Sequence, residues 1–263
     1  MKHFILIMFF FFVFAGNQMA QRIGDPISFV KWKNVVLNNY VTFNSFDTLN
    51  WGSGFLIKYK NEVIACTARD FTGTTYTRGK MLYVKDFDKE LKYWKMYIPD
   101  DPTQYVVIDT LILKERIEKK FSIFLYSAPF LTFSIKRNNN RIIPLEPDIR
   151  RVINKDTLYL VGYDYDHNLK IVQGIVETPS NEKYADPEIR LKTNIFLYYA
   201  NFVGGPIVDK YGKTVGVINR AYRLNKTKKG KIINDGKLVE GSHFEYFVNG
   251  TSMRTILGKD YTK

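Results

Sequence analysis

Cysteine is almost absent from the chain, which excludes a fold held together by internal disulfides. Cys66 is the single cysteine among 263 residues, so no intramolecular pair can form. An exported domain of this composition must therefore be stabilised by a packed core. We expect Cys66 to be buried, because an exposed free thiol is a liability outside the cell.

Alanine is also scarce, and the chain is rich instead in residues that favour strands. Aromatic residues make up 16% of the sequence, with 18 Tyr and 20 Phe. These side chains, with the many Val, Ile and Thr, suit a pleated and half-buried surface, whereas a helical bundle would need more alanine. The apolar fraction of 45% is enough for a sizeable core, so composition predicts an all-β protein of one or two domains.

The sequence lacks an apolar run long enough to span a bilayer. The run from Phe4 to Ala15 follows Lys2 and His3, and it has the length of a signal-peptide core. We assign residues 1–20 to a signal peptide. The mature protein is then predicted to be exported, either periplasmic or secreted, with no integral membrane segment after cleavage.

Acidic residues are too few to balance the basic ones, and the formal net charge is +13. Such a charge favours acidic partners, which include nucleic acid, anionic glycans, membrane headgroups and acidic proteins. Net charge alone does not choose among these partners, and a surface that keeps the protein soluble would carry the same charge.

Short β-rich runs between turn signals recur in both halves of the chain, as in β-barrels. The polar stretch 136–156, which contains Pro144 and Pro147, indicates a connection between the halves. We predict an N-terminal barrel in residues 21–132, a connection over 133–154 and a C-terminal barrel with a closing helix in 155–263. The predicted strands are Val35–Phe43, Gly54–Tyr59, Val63–Thr67, Met81–Val84, Lys92–Tyr97, Tyr105–Leu113, Phe121–Tyr126, Leu158–Tyr163, Lys170–Thr178, Asn194–Tyr199, Pro206–Val208, Thr214–Asn219 and Phe244–Asn249. The closing helix is predicted over Thr251 to Leu257, with Thr251 or Ser252 as its N-cap.

Three separated segments carry a more specific pattern. The first is Gly52–Ile57, with a hairpin turn that leads to Ala65–Asp70; the second is Phe121–Leu125; the third is Asn201–Val208, followed by Val215–Val217. Together they resemble the trypsin-like serine proteases of the bacterial exported type, over roughly residues 29 to 257. The resemblance implies an all-β chain of two antiparallel six-stranded barrels with a short C-terminal helix, and a cleft between the barrels.

The same resemblance implies that all three catalytic positions have been replaced. Catalysis in this family needs a hydroxyl nucleophile, an imidazole base and a carboxylate that orients the imidazole. Val203 falls on the nucleophile position and has no proton to give. Asp70 falls on the base position, where a carboxylate with an ordinary pKa of about 3.9 is a poor base at neutral pH. Ser122 falls on the orienting position and carries no charge. The resemblance therefore implies a catalytically inactive homologue, with no metal and no cofactor.

A residual anion nest is the first candidate binding site. In the resembled family, backbone N–H groups at the first and third positions of the G-x-S motif form the oxyanion hole, and these positions are Asn201 and Val203 here. Asn201 tolerates a positive φ better than most residues, and Gly204 keeps the following turn flexible. We therefore name Asn201 and Gly204 as candidates for a nest that binds an anion without a nucleophile.

A basic rim beside the cleft is the second candidate. The segment from Arg220 to Lys231 is dense in cations, and in the resembled fold it follows a strand that borders the cleft. A solvated hairpin is the simpler interpretation. The interpretation with a function is a basic lip formed by Arg220, Tyr222, Arg223 and Lys226, which would bind a peptide, an acidic protein or a polyanion.

Two alternative functions stay open at this point. An active hydrolase with a rearranged site would need a Ser or Cys beside His167 or His243. A polyanion-binding exported protein would act through charge alone. The segment Asp164–Asn168 has the spacing of the start of a calcium loop, but Leu169 and Ile175 stand where that loop needs Gly and Glu, so we predict a polar hairpin there.

Overall fold

The structure is a computed structural model, and it describes residues 32–50, 52–69, 76–77, 80–81, 87–112, 130–164, 166–177, 188–197, 201–227, 232–233 and 242–257. Within these ranges the regular structure is almost entirely β. The strands are β1 (Leu37–Phe43), β2 (Ser53–Tyr59), β3 (Glu62–Ala68), β4 (Tyr76–Thr77), β5 (Lys80–Met81), β6 (Leu91–Ile98), β7 (Asp101–Leu111), β8 (Phe130–Arg137), β9 (Thr157–Tyr163), β10 (Leu169–Val176), β11 (Glu188–Thr193), β12 (Pro206–Val208), β13 (Thr214–Thr227), β14 (Ile232–Ile233) and β15 (Ser242–Ser252). Two short helices are described, α1 (Phe87–Glu90) and α2 (Met253–Leu257).

Six antiparallel strands close the first barrel in the order β1-β2-β3-β8-β7-β6. The interior follows from the period of two along each strand. In β6, for example, Trp94 and Met96 are buried while Tyr93 and Lys95 point outward. Aromatic rings fill the centre, where the centroids of Trp94 and Phe133 lie 4.6 Å apart.

The second barrel also closes on itself, because β12 pairs with both β9 and β13. Its ring runs β12-β9-β10-β11-β15-β13, and β14 pairs only with β13 outside the ring. Its core holds aliphatic side chains from every wall, namely Leu160, Val172, Leu191, Ile207, Ile218 and Val248.

The two barrels share one topology. When the six strands of each ring are numbered in chain order, both rings close as 1-2-3-6-5-4. One hydrophobic cluster continues from the first barrel into Val161, Val203 and Val217 of the second half, so the barrels pack against each other through apolar surface. The predicted fold class of two antiparallel six-stranded barrels is confirmed.

The predicted closing helix is confirmed as α2. Ser252 is its N-cap, because the Thr255 N–H donates to Ser252 Oγ at 3.2 Å. Met253, Ile256 and Leu257 are buried and belong to the cluster that joins the barrels. Within the described part of the chain, no helix has the length and apolarity needed to cross a membrane.

Four described strands lie where the sequence did not predict them, namely the two-residue strands β4 and β14 and the longer strands β8 and β11. β8 extends to Arg137, five residues past the predicted end of the first barrel. The sequence did not predict this extension because the end of the strand is polar and resembles a linker. β11 was missed because Arg190 and Lys192 alternate with its buried residues. The strand predicted over Asn194–Tyr199 is wrong in its described residues 194–197, which are not in a strand. The predicted strand Phe121–Tyr126 and the signal peptide 1–20 lie outside the described residues.

Candidate functional site

The turn of residues 201–204, which we call the β12 turn, leads into β12 and is bonded to both barrels. From the first barrel, the Ser53 N–H donates to the Val203 carbonyl at 2.7 Å, and the Ser53 hydroxyl donates to the Asn201 carbonyl. From the turn, the Gly204 N–H donates to the Ile218 carbonyl of β13 at 2.7 Å. The β12 turn is therefore fixed at the junction of the two barrels.

Glycine is required at position 204 for two reasons. Its φ is +90°, which side chains rarely adopt. A Cβ at this position would lie 1.9 Å from the Ser53 carbonyl oxygen and 2.5 Å from Thr67 Oγ1. Gly204 thus reflects close packing of the turn against β2 and β3, and a Cβ at Gly205 would lie 2.5 Å from the Val161 carbonyl oxygen of β9.

A buried polar network in the first barrel holds Ser53, the residue that bonds to the β12 turn. Asn39 is fully buried, and its side-chain amide donates to the carbonyls of Gly52 at 3.1 Å and Ser53 at 2.9 Å. Its carbonyl accepts from Trp94 Nε1 at 3.0 Å, and the Thr67 hydroxyl donates to the Ser53 carbonyl at 2.6 Å. Buried polar groups satisfied in this way hold a single geometry. The sequence analysis missed Asn39, because nothing in the residues around this asparagine in β1 indicates that its side chain bonds to Gly52, Ser53 and Trp94.

Val203, on the predicted nucleophile position, is 8% exposed. Its side chain belongs to the apolar cluster that joins the barrels. β3 ends at Ala68, two residues before Asp70, and Thr67 of β3 lies against Gly204. The end of β3 and the β12 turn therefore meet, although Asp70 itself lies outside the described residues.

The strand beside β3 is β8, in the register Thr67↔Leu131 and Ala68↔Phe130. β8 begins at Phe130, eight residues after Ser122 in the sequence. Ser122 also lies outside the described residues, so its orienting position stays a prediction.

In the structure, the two N–H groups of the candidate anion nest that lack an acceptor among the described residues belong to Asn201 and Val203, and Gly204 does not contribute a free N–H. The Gly204 N–H is taken by the Ile218 carbonyl, so Gly204 shapes the turn and does not serve as a free donor. Among the described residues, no acceptor bonds to the N–H of Asn201 or of Val203. Asn201 has a negative φ, so its tolerance for the left-handed region is not used. Its side-chain amide donates instead to the Asp164 carbonyl at 3.3 Å, which fixes its position.

Neither Cys66 nor Ser53 is paired with a base in the described part of the chain. Cys66 is fully buried, and burial raises the pKa of its thiol, which stays protonated. The Ser53 hydroxyl donates to the Asn201 carbonyl. His167 and His243 are exposed, and neither ring bonds to a Ser or Cys that the structure describes.

His167 belongs to a polar hairpin, as the sequence predicts. The Asp164 carboxylate accepts from the N–H of Asp166 at 3.0 Å and from the N–H of Asn168 at 2.8 Å. Both bonds are accepted by Oδ1, while Oδ2 forms an ion pair with Lys170 Nζ at 3.4 Å. Among the described residues, no group of three or more His, Cys, Asp or Glu could hold a metal ion.

The four residues predicted to form a basic rim do not share one face. Successive residues of β13 point to opposite sides, so Arg220, Tyr222 and Lys226 lie on one face while Arg223 lies on the other. Tyr222 pairs with Phe247 on the first face. Arg223 lies over the ring of Phe244 on the second, with its guanidinium 4.7 Å from the centroid. The structure therefore divides the four residues between the two faces of β13, and their binding role stays a prediction.

Lys226 is also not a free cation. It forms an ion pair with Glu245 of β15, which is paired as well with Lys192 of β11 at 2.8 Å. Hydrogen bonds from Lys192 and then from Lys226 lower the pKa of Glu245 from 4.5 to about 2. These charges cross-link three strands on the outer wall of the second barrel, so they serve its stability.

Comparison with known proteins gives likenesses in structure alone. No protein-family model matches the chain, and no curated protein matches it in sequence. The Rv3671c protease from M. tuberculosis in its active form is similar with a TM-score of 0.49 and 12% identity, over 88% of this chain and 81% of that chain. Its inactive form gives a TM-score of 0.47 and 13% identity, over 88% and 89% of the two chains. The HtrA-type protease AlgW with a decapeptide gives a TM-score of 0.47 and 11% identity, over 88% of this chain and 66% of that chain.

Gly204→Ala tests the close approach of the β12 turn to Ser53. The backbone strain and the clash with the Ser53 carbonyl should together lower the free energy of unfolding by about 3–5 kcal/mol. Gly212→Ala is the matched control, because Gly212 has a φ of +79° in the turn after β12 and should lose about 1–2 kcal/mol from strain alone. Equal losses in urea denaturation would contradict the packing described here.

Glu245→Gln tests the ion pairs of the second barrel through pH. Because the folded-state pKa of Glu245 is lowered from 4.5 to about 2, its stabilising contribution is present above pH 4.5 and is lost as the pH falls from 4.5 towards 2. The parent should be more stable than Glu245→Gln at neutral pH, and the difference should shrink across that acidic range. A difference in unfolding midpoint that does not change with pH would rule out this role of the carboxylate.

Proposed function

We propose that this chain is a catalytically inactive homologue of the trypsin-like serine proteases, and that it binds a peptide or an acidic partner at the junction of its barrels. The proposal rests on Val203, which falls on the nucleophile position that the resemblance implies and which lies in the β12 turn. The turn keeps its bonds to Ser53 and Ile218 and its constrained Gly204.

The chemical argument against acyl transfer is simple. Attack on a carbonyl requires a lone pair on the attacking atom and a base that removes its proton. Val203 supplies neither the lone pair nor the proton, and its methyl groups are packed into the apolar cluster. A new nucleophile would have to displace this packing, and Cys66 and Ser53 are both held elsewhere.

The argument for binding rests on the backbone of the same turn. The N–H groups of Asn201 and Val203 have no acceptor among the described residues, although the side chain of Val203 is nearly buried. Backbone donors in such places are normally satisfied, and two neighbouring amides form a nest for an anionic group. The C-terminal carboxylate of a peptide has the charge and the planar oxygens that such a nest accepts.

The first experiment asks whether the purified chain has protease chemistry. We expect no labelling by a serine-reactive fluorophosphonate probe and no cleavage of a broad peptide library, because position 203 cannot form an acyl-enzyme. Val203→Ser is the matched variant and should stay unlabelled as well, since Asp70 is a poor base. Turnover that persists in clean preparations and is lost on substitution of one Ser, Cys or His would establish the alternative of a rearranged hydrolase.

The second experiment asks whether the turn binds a carboxylate. Short peptides with a free C-terminus should bind more tightly than the same peptides amidated at the C-terminus, when both are titrated by calorimetry. Replacing Val203 with Pro removes one of the two N–H donors and should abolish this preference, while Val203→Ile should keep it. Equal affinity for the free and amidated peptides would exclude a carboxylate at this turn.

A further inference from the structure

The outer wall of the first barrel carries a group of aromatic and basic side chains on neighbouring strands, which we call the tyrosine patch. The strand register aligns Tyr40 of β1 with Lys95 of β6, and Lys95 with Val107 of β7, which in turn pairs with Arg137 of β8. Paired residues point to the same side of a sheet, so this row lies on one face. The members of the patch are Tyr40, Tyr93, Lys95, Tyr97, Tyr105 and Arg137.

Lys95 lies at the centre of the patch. Its Nζ is 5.4 Å from the ring centroid of each of Tyr40, Tyr97 and Tyr105. Ring faces attract an ammonium group at this distance, so three rings hold the cation in one place. Arg137 contacts Tyr105 from the next strand, with its guanidinium 4.8 Å from the centroid and a hydrogen bond of 2.8 Å to the hydroxyl. Two cations are thus fixed around one tyrosine ring.

Neither cation of the patch is neutralised within the part of the chain that the structure describes. No described carboxylate forms an ion pair with Lys95 or Arg137, whereas Lys58 is paired with Glu146, and Lys226 with Glu245. The patch is also open to solvent, since Tyr93 is 38% exposed. The patch therefore presents two positively charged side chains, Lys95 and Arg137, which are held in place by tyrosine rings. The group that would complement them is an anion.

We propose that the tyrosine patch is a docking surface for an acidic segment of a partner protein. Tyr and Arg are enriched in the parts of protein interfaces that contribute most affinity. A sugar or a nucleic-acid base would need free ring faces on which to stack, but Lys95 or Arg137 lies over a face of Tyr40, Tyr97 and Tyr105. The remaining hydroxyls and ring edges suit carboxylates and peptide groups. This proposal does not depend on the β12 turn, which lies at the junction of the barrels.

Fluorescence anisotropy with labelled oligoglutamate and the purified chain tests the proposal. Lys95→Gln/Arg137→Gln should weaken binding by about tenfold, the effect of losing two modest ion pairs. The matched control is Lys210→Gln/Arg151→Gln, which removes the same charge from exposed positions elsewhere; Lys210 also lies over a single tyrosine ring, that of Tyr211. The control should change the affinity by less than about twofold. Lys95→Arg keeps the charge and should keep the binding.

A single-stranded oligonucleotide of matched charge separates the two kinds of acidic partner. The patch variant should lose affinity for oligoglutamate and retain most of its affinity for the oligonucleotide. Equal weakening by both double variants would show that net charge alone drives binding, and this would overturn the proposal. A larger loss for the oligonucleotide, or no binding of oligoglutamate by the parent, would overturn it as well.

Discussion

The bonds between Ser53 and the β12 turn are the constraint on which the rest of the site depends. Ser53 gives both its N–H and its hydroxyl to carbonyls of the turn, and its own carbonyl accepts from Asn39 and Thr67. Gly204 must then pass so close to β2 that no side chain fits. Because the N–H, hydroxyl and carbonyl of Ser53 are all hydrogen-bonded, a shift of the turn would leave these polar atoms unpaired, which is costly. The position of Val203 is therefore set by the scaffold.

This arrangement separates the architecture of the site from its chemistry. Hydrogen bonds of the main chain and glycine packing hold the turn, and neither depends on the side chain at position 203. The valine side chain adds apolar contact between the barrels. The backbone N–H groups of Asn201 and Val203 have no acceptor among the described residues, which is why binding is the function we propose for this turn.

Much of the fold could be predicted from the sequence, because alternating apolar residues and glycine-containing motifs report on local structure. The capped helix α2 was found from its cap residues, whereas the two barrels and the β12 turn were implied by the resemblance of three segments to the trypsin-like serine proteases. β11 was missed because charged residues fill its outer positions, and their partners Glu245 and Phe247 come from a distant strand. The placement of the rim residues was missed for a related reason, because a run of cations along one strand is divided between two faces. Asn39 and the tyrosine patch depend on register across strands, which no local pattern contains.

The central claim is that position 203 faces position 70 across the junction of the barrels, as a nucleophile faces its base. Cysteine pairs introduced in a Cys66→Ala background test it directly, with a short bifunctional thiol reagent and intact mass as the readout. The account predicts an intramolecular cross-link between Asp70→Cys and Val203→Cys. It predicts no cross-link between Val203→Cys and Lys60→Cys. Lys60 lies in the turn between β2 and β3, at the opposite end of these two strands from Ser53 and Ala68. Failure of the first pair to cross-link, or equal cross-linking of the second, would contradict the assignment.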